Sequence, residues 1–271
     1  MDQWLSDVHQ GLVVTSFLIA SFGALSTFST ARWIAPEGRT RLSWLLLSAL
    51  ILGGCTAWAP HFLGLLAVSP EVLITFDIQL TLMALAAPVV AFIPGLYLAY
   101  RWGHVPGVIP VAAIFIGIGL AAMNYIAAAA IRVQGIIEHD EFFLFAGVAF
   151  AVVLVVPAVY LARSKMAMLR YAAAPVMGLA VMGMYVISMS GFRIVPLMGE
   201  VDYFTGALTP PVMLMMAGVS VVVFSLIALT LGLSQTDDEL PSAGGLAESD
   251  EIAQAREAIR RRHEALRGGS E

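Results

Sequence analysis

His61 is the one histidine inside any long apolar run of this sequence, and its imidazole is the only side chain there that ordinarily titrates near neutral pH. Ionisable groups in such runs are functional candidates by default. Met123 and Met184 immediately precede Asn124 and Tyr185, while Met182 and Met189 lie within one helical turn of Tyr185 on its face. Imidazole nitrogen and thioether sulfur together suit copper, Cu(I) above all. The runs hold no carboxylate, which disfavours magnesium or calcium. Met123 and Met184 stand one residue from their neighbours, about 100° round a helix, so Met189 is the better placed. Packing is the plain alternative: 13 methionines occur in the chain, and methionine commonly fills core gaps. A lone histidine can likewise serve only to hydrogen-bond a neighbouring helix. Cys55, the single cysteine, permits neither an internal disulfide nor a Cys-rich metal cluster. Its plain reading is a small buried residue. No nucleophile–base pair, phosphate loop, dinucleotide fingerprint or zinc-protease motif is visible, and no catalytic role is expected.

These residues fall within an internal repeat. The stretch Cys55 to Val68 is matched in layout by Leu120 to Ile131 and by Val181 to Phe192. With His61, Asn124 and Tyr185 superposed, one common offset leads to Ser69, Arg132 and Arg193. A longer one leads to Asp77 and Asp140 and, one residue further on, to Asp202. Pro94, Tyr97 and Ala99 recur as Pro157, Tyr160 and Ala162. Coincident offsets, more than residue identity, argue for repetition.

The elements that must carry the anchors are membrane helices. Hydrophobic residues make up 59% of the 271 and charged residues 12%, with mean hydropathy +0.87. Seven apolar runs, roughly Gly11–Ala31, Leu42–Val68, Ile78–Tyr100, Val108–Ile131, Phe142–Ala162, Tyr171–Phe192 and Pro211–Leu233, lack Lys, Arg, Asp and Glu. Each reaches the ~20 residues needed to cross a bilayer as a helix. The first run, rich in Ser and Thr, should pack on other helices. The other six form three hairpins of common orientation, related by a pseudo-threefold axis along the membrane normal. That places the three anchors at one depth, about 10 Å below the surface at which their helices end. Pro94 and Pro157 should bend the returning helices as a matter of architecture.

Of the 14 Lys and Arg, only Arg132 and Arg193 face outward if the N-terminus is outside, which the positive-inside rule favours. Acids then collect outside, among them Glu71, Asp77, Glu138 and Asp140, and would attract cations weakly. Trp4 and Trp58 near the outer boundary, and Trp33, Trp44 and Trp102 near the inner one, read as interfacial anchors. The acidic N-terminal flank does not read as a cleavable signal peptide. Residues 234–250 are polar and carry Pro241 and Gly244-Gly245, as expected of a flexible linker. Residues 251–271 read as a cytoplasmic tail with a short charged helix bearing Arg260, Arg261 and Arg262.

The three units resemble the MHYT-type integral membrane sensor domain, whose Met-His-Tyr-Thr motif recurs on alternate transmembrane helices. Pro60-His61-Phe62-Leu63-Gly64-Leu65 keeps the histidine and glycine of that pattern, Met123-Asn124-Tyr125 its Met and Tyr, and Met184-Tyr185 with Met189 its methionines. The resemblance implies copper bound near the outer surface through Met and His residues, and sensing of oxygen, carbon monoxide or nitric oxide. Residue by residue it reaches His61, Met123, Met184 and Met189.

The sequence thus predicts an all-α polytopic transmembrane bundle of seven helices in the plasma membrane, an N-terminal helix plus hairpin repeats at about 43–101, 108–164 and 171–233, within a membrane domain 1–233. The N-terminus lies outside and the C-terminus in the cytoplasm. Its expected role is sensory or regulatory, passing a signal to a separate cytoplasmic partner, with the lipid bilayer as its other partner and no nucleic acid. A scaffold that has lost its metal is the alternative. A transporter or channel is disfavoured, because the spans hold no acidic or basic relay.

Overall fold

Every described helix of the bundle grows from one of the apolar runs. The computed structural model describes residues 10–35, 39–67, 74–133, 135–196 and 207–239. Among these, seven helices are long and apolar enough to cross a membrane. They are α1 (Gln10–Ala31); a broken helix comprising α2 (Leu42–Ile51), a π-helical segment (Leu52–Trp58) and α3 (Ala59–Ala67); α4 (Ile78–Trp102); α5 (Val108–Ala130); α6 (Glu141–Ala162); α7 (Ala167–Ser190); and α8 (Pro210–Glu239). The described residues up to Leu229 form one compact unit, and a second begins at Thr230. The helical assignment runs on through residues 234–239, within the stretch read as linker. The rest of that linker, the charged tail, Trp4, Ser69, Glu71 and Asp202 lie outside the described residues.

The repeat is visible in the packing. In the first two hairpins the returning helix packs on the next outgoing one, α4 on α5 and α6 on α7. α1, outside the repeat, packs along α7 and along the broken helix. Small residues set these approaches: a Cβ on Gly178 would fall 2.3 Å from Ser21 Oγ, and one on Gly23 2.8 Å from Thr56 Oγ1. The polar residues of α1 turn inward as expected: Ser16, Thr27 and Thr30 are buried, and Thr30 hydroxyl bonds Ser48 hydroxyl at 3.0 Å. Large apolar side chains such as Leu18, Phe22, Val90, Val153 and Phe145 face outward, as lipid requires.

Short strands join the helices at one end: β1 (Ile74–Asp77), β2 (Ile131–Val133), β3 (Gly135–His139), β4 (Phe192–Pro196) and β5 (Ala207–Leu208). The sequence reading has only loops here. Every pairing among the described strands joins two different hairpins: β1 pairs antiparallel with β2 and β5, and β3 with β4. Ile74, Thr75 and Phe76 oppose Val133, Arg132 and Ile131, while Ile137, Glu138 and His139 oppose Ile194, Arg193 and Phe192. Counted from the anchors these are the same positions, so the repeat extends to strand register.

Two of the repeated acids, Asp77 and Asp140, are helix caps. Asp77 accepts from Leu80 N–H at 3.0 Å at the start of α4, and Asp140 from Phe142 N–H at 2.9 Å at the start of α6. A carboxylate there satisfies an orphan donor and meets the positive end of the helix dipole. Asp77 also takes a 3.0 Å ion pair from Arg132, across the β1–β2 pairing. Backbone donation by Leu80, then Arg132, holds the Asp77 carboxyl below its ordinary value. Opposite the strands, Gly107 precedes α5 with φ 84°, a conformation glycine adopts without Cβ strain. The helices continue through Pro94 and Pro157, and also through Pro88 and Pro175.

Candidate functional site

His61, Asn124 and Tyr185 each sit near the strand end of their helices and are 2%, 4% and 1% exposed. Their side chains are drawn to one interior. The rings of His61 and Tyr185 meet edge-on with centroids 5.4 Å apart, and Tyr185 hydroxyl donates to the carbonyl of Gly64. Asn124 Nδ2 donates to Ser188 Oγ at 3.1 Å. Gly64 is required by the first contact, since a Cβ there would fall 2.8 Å from the Tyr185 ring.

A cavity of about 10 Å³ lies among these residues, lined by His61, Leu65, Asn124, Ala128, Ile131, Leu144, Ser188, Met189 and Phe192. Its walls obey the repeat. Leu65, Ala128 and Met189 each follow their anchor by one helical turn, and Ile131 and Phe192 begin β2 and β4 at matching positions. The cavity therefore lies where equivalent positions of the three hairpins come together. Its volume is about that of one water-sized occupant, which excludes an organic ligand. His61 Nδ1 is buried with no hydrogen-bond partner among the described residues. Such an atom in apolar surroundings costs free energy until something pairs with it.

Of the metal ligands expected from sequence, His61 and Met189 line the cavity together. Met123 and Met184 are fully buried and are not among its walls. No three His, Cys, Asp or Glu cluster as a metal site among the described residues. Sequence reasoning missed Ser188, although it stands one turn after Tyr185 on the same face. His139 remains on β3, its ring 4.7 Å from that of Phe192, which lines the cavity. Cys55 is buried, its thiol 3.7 Å from the carbonyl of Val221.

Trp58 corrects an expectation: it is not an interfacial anchor. It is 1% exposed, donates from Nε1 to the Thr81 carbonyl at 3.2 Å and packs on Phe62 with ring centroids 5.1 Å apart. The π-helical segment ends at Trp58, less than one turn before His61, and such segments are frequent at functional sites.

An α-helical, multi-pass membrane bundle is the class that this fold defines. Residues 54–109 match the MHYT family model, described as a bacterial signalling protein N-terminal repeat. The bifunctional diguanylate cyclase/cyclic di-GMP phosphodiesterase MucR of Pseudomonas aeruginosa is 29% identical over 197 residues, covering 69% of this chain and 28% of the relative. The cyclic di-GMP phosphodiesterase NbdA of the same organism is 29% identical over 169 residues, 59% of this chain and 21% of the relative. An uncharacterized signaling protein of Caulobacter vibrioides is 28% identical over 125 residues. The chain thus spans under a third of the length of the relatives it matches. No solved structure matches it. The chain carries an MHYT-type repeat and is a membrane sensory module of bacterial signalling type.

Proposed function

We propose that this module senses a diatomic gas or redox state through a single copper held at this cavity by His61 and Met189. The observation that carries this reading is the orphaned Nδ1 of His61 beside a cavity that Met189 also lines. Imidazole with a thioether is a donor set that suits Cu(I), and the volume suits one ion. Copper, when bound, would offer a vacant coordination position to oxygen, carbon monoxide or nitric oxide. The protein's own part is to fix the imidazole against Tyr185 and to keep bulk water out with Leu65, Leu144 and Phe192. Met123 and Met184 act here as packing behind the anchors. The relatives' names support an output through cyclic di-GMP turnover, performed by catalytic domains beyond this module or by a separate cytoplasmic partner. A strand end facing outside, as the arginine distribution favours, would put the cavity near the outer surface.

Copper loading of the purified full chain under reducing conditions tests the site. Wild type should retain one copper per chain, His61→Ala should lose it, Met189→Leu should weaken it, and Cys55→Ser should leave it unchanged. Retention unaltered by both His61→Ala and Met189→Leu would exclude this site. A wild type without copper would favour the scaffold reading, which the single sulfur at the cavity already makes the natural second choice.

A further inference from the structure

At the end of the bundle away from the strands lies a cleft of about 340 Å³, between the last turns of α1, α4 and α6 and the start of α7. Arg32, Arg163 and Arg170 come to it from three different segments, with Tyr100 and Tyr171 beside them and Leu25 and Phe28 forming an apolar wall. Among the described residues no carboxylate is ion-paired with any of the three arginines. Arginines near span ends are ordinary; their convergence on one concavity is not explained by topology alone. Arg163 is held in place there. Its guanidinium donates to the Ala99 carbonyl near the end of α4 and lies 5.6 Å from the Tyr100 ring centroid. Gly103 leaves room for it, since a Cβ at that position would fall 2.6 Å from Arg163 Cζ. One contact leaves most of the five guanidinium donors free. Tyr100 lines the cleft, and its hydroxyl is buried with no hydrogen-bond partner among the described residues.

We propose that this cleft binds a phosphate group on a molecule of net negative charge, with the three guanidinium groups and the Tyr100 hydroxyl as donors. Guanidinium forks match phosphate oxygens bidentately, and a buried hydroxyl without a partner gains an acceptor. The bearer of the phosphate is an anionic phospholipid or a soluble phosphate ester. The apolar wall of Leu25 and Phe28 and the position at the helix ends suit a lipid head group, as in other basic clefts between membrane helices.

Lipid retention by the full chain, extracted from vesicles of mixed phosphatidylglycerol and phosphatidylcholine and weighed by native mass spectrometry, tests this. Phosphatidylglycerol should be retained in preference. Arg163→Gln should lower its retention about tenfold, the equivalent of one charge-assisted hydrogen bond, and Tyr100→Phe by a smaller factor. Arg163→Gln also removes a contact to a helix end, so Arg170→Gln, on an exposed side chain, is the second variant and should lower retention too. Arg101→Gln, at the same end but outside the cleft, should change nothing. Displacement by inorganic phosphate would assign the cleft to soluble phosphates, and retention in its presence to lipid. Equal retention of the two lipids without competition by phosphate, or loss of the preference in Arg101→Gln as large as in Arg163→Gln, would overturn the proposal.

Discussion

Tyr185 sets how closely the first and third anchor helices meet, because its ring fills the space over Gly64 and its hydroxyl holds the Gly64 carbonyl. Gly64→Ala should therefore cost about 1–3 kcal/mol of stability, the usual penalty for overpacking, and Tyr185→Phe about 1 kcal/mol for the lost hydrogen bond. Unfolding of the two variants and their double in detergent checks the coupling: costs that simply add would show that the residues do not act together. The convergence of Leu65, Ala128 and Met189 gives a second outcome. Ala128→Met places another thioether on the cavity and should tighten copper binding over wild type in the same loading assay. An increase that persists in His61→Ala would refer the metal to somewhere else. His61, Asn124 and Tyr185 were legible in the sequence because fixed offsets to later residues betray a repeat even where residue type has changed. Ser188 and the sequestration of Trp58 were not, because both depend on which helix stands opposite.

At the scale of elements, the spans read directly from hydropathy, since a run without charge long enough to cross a bilayer has few other fates. The strands did not. Those described are short and pair only between hairpins, so no alternating pattern within one hairpin announces them. The acids of the repeat were legible as positions but not in role, because a cap is recognised only once the helix start is known. That role has a pH signature. Asp77 has a folded pKa below its ordinary value near 3.8, through Leu80 and Arg132. Its contribution is complete above that value and is lost as pH falls through the lowered one. Thermal unfolding followed from neutral pH downward should thus show destabilisation at acid pH that Asp77→Asn flattens, and an unchanged acid limb in Asp77→Asn would refute the assignment. Asp140→Ala should cost ~1 kcal/mol as a lost cap.

For the whole molecule, matching registers in β1–β2 and β3–β4 show that the hairpins repeat as units and not only as helices. By that rule α8 belongs against the broken helix, and it touches it where Cys55 meets the carbonyls of Ser220 and Val221, beside Gly54 and Phe224. α1 packs along the same helix and α7, a placement the repeat alone does not foretell. Orientation is the property on which both sites depend, since it decides which faces the outside and which the cytoplasm. Arg132, one of the two cations counted against the proposed orientation, is ion-paired to Asp77. Glu138 and Lys165 are exposed at opposite ends of α6, just before and just after it. In a Cys55→Ser background, Glu138→Cys should react with a membrane-impermeant maleimide on intact cells, and Lys165→Cys only after lysis. The reverse pattern would turn the bundle over, putting the His61 cavity near the cytoplasmic face and the arginine cleft outside.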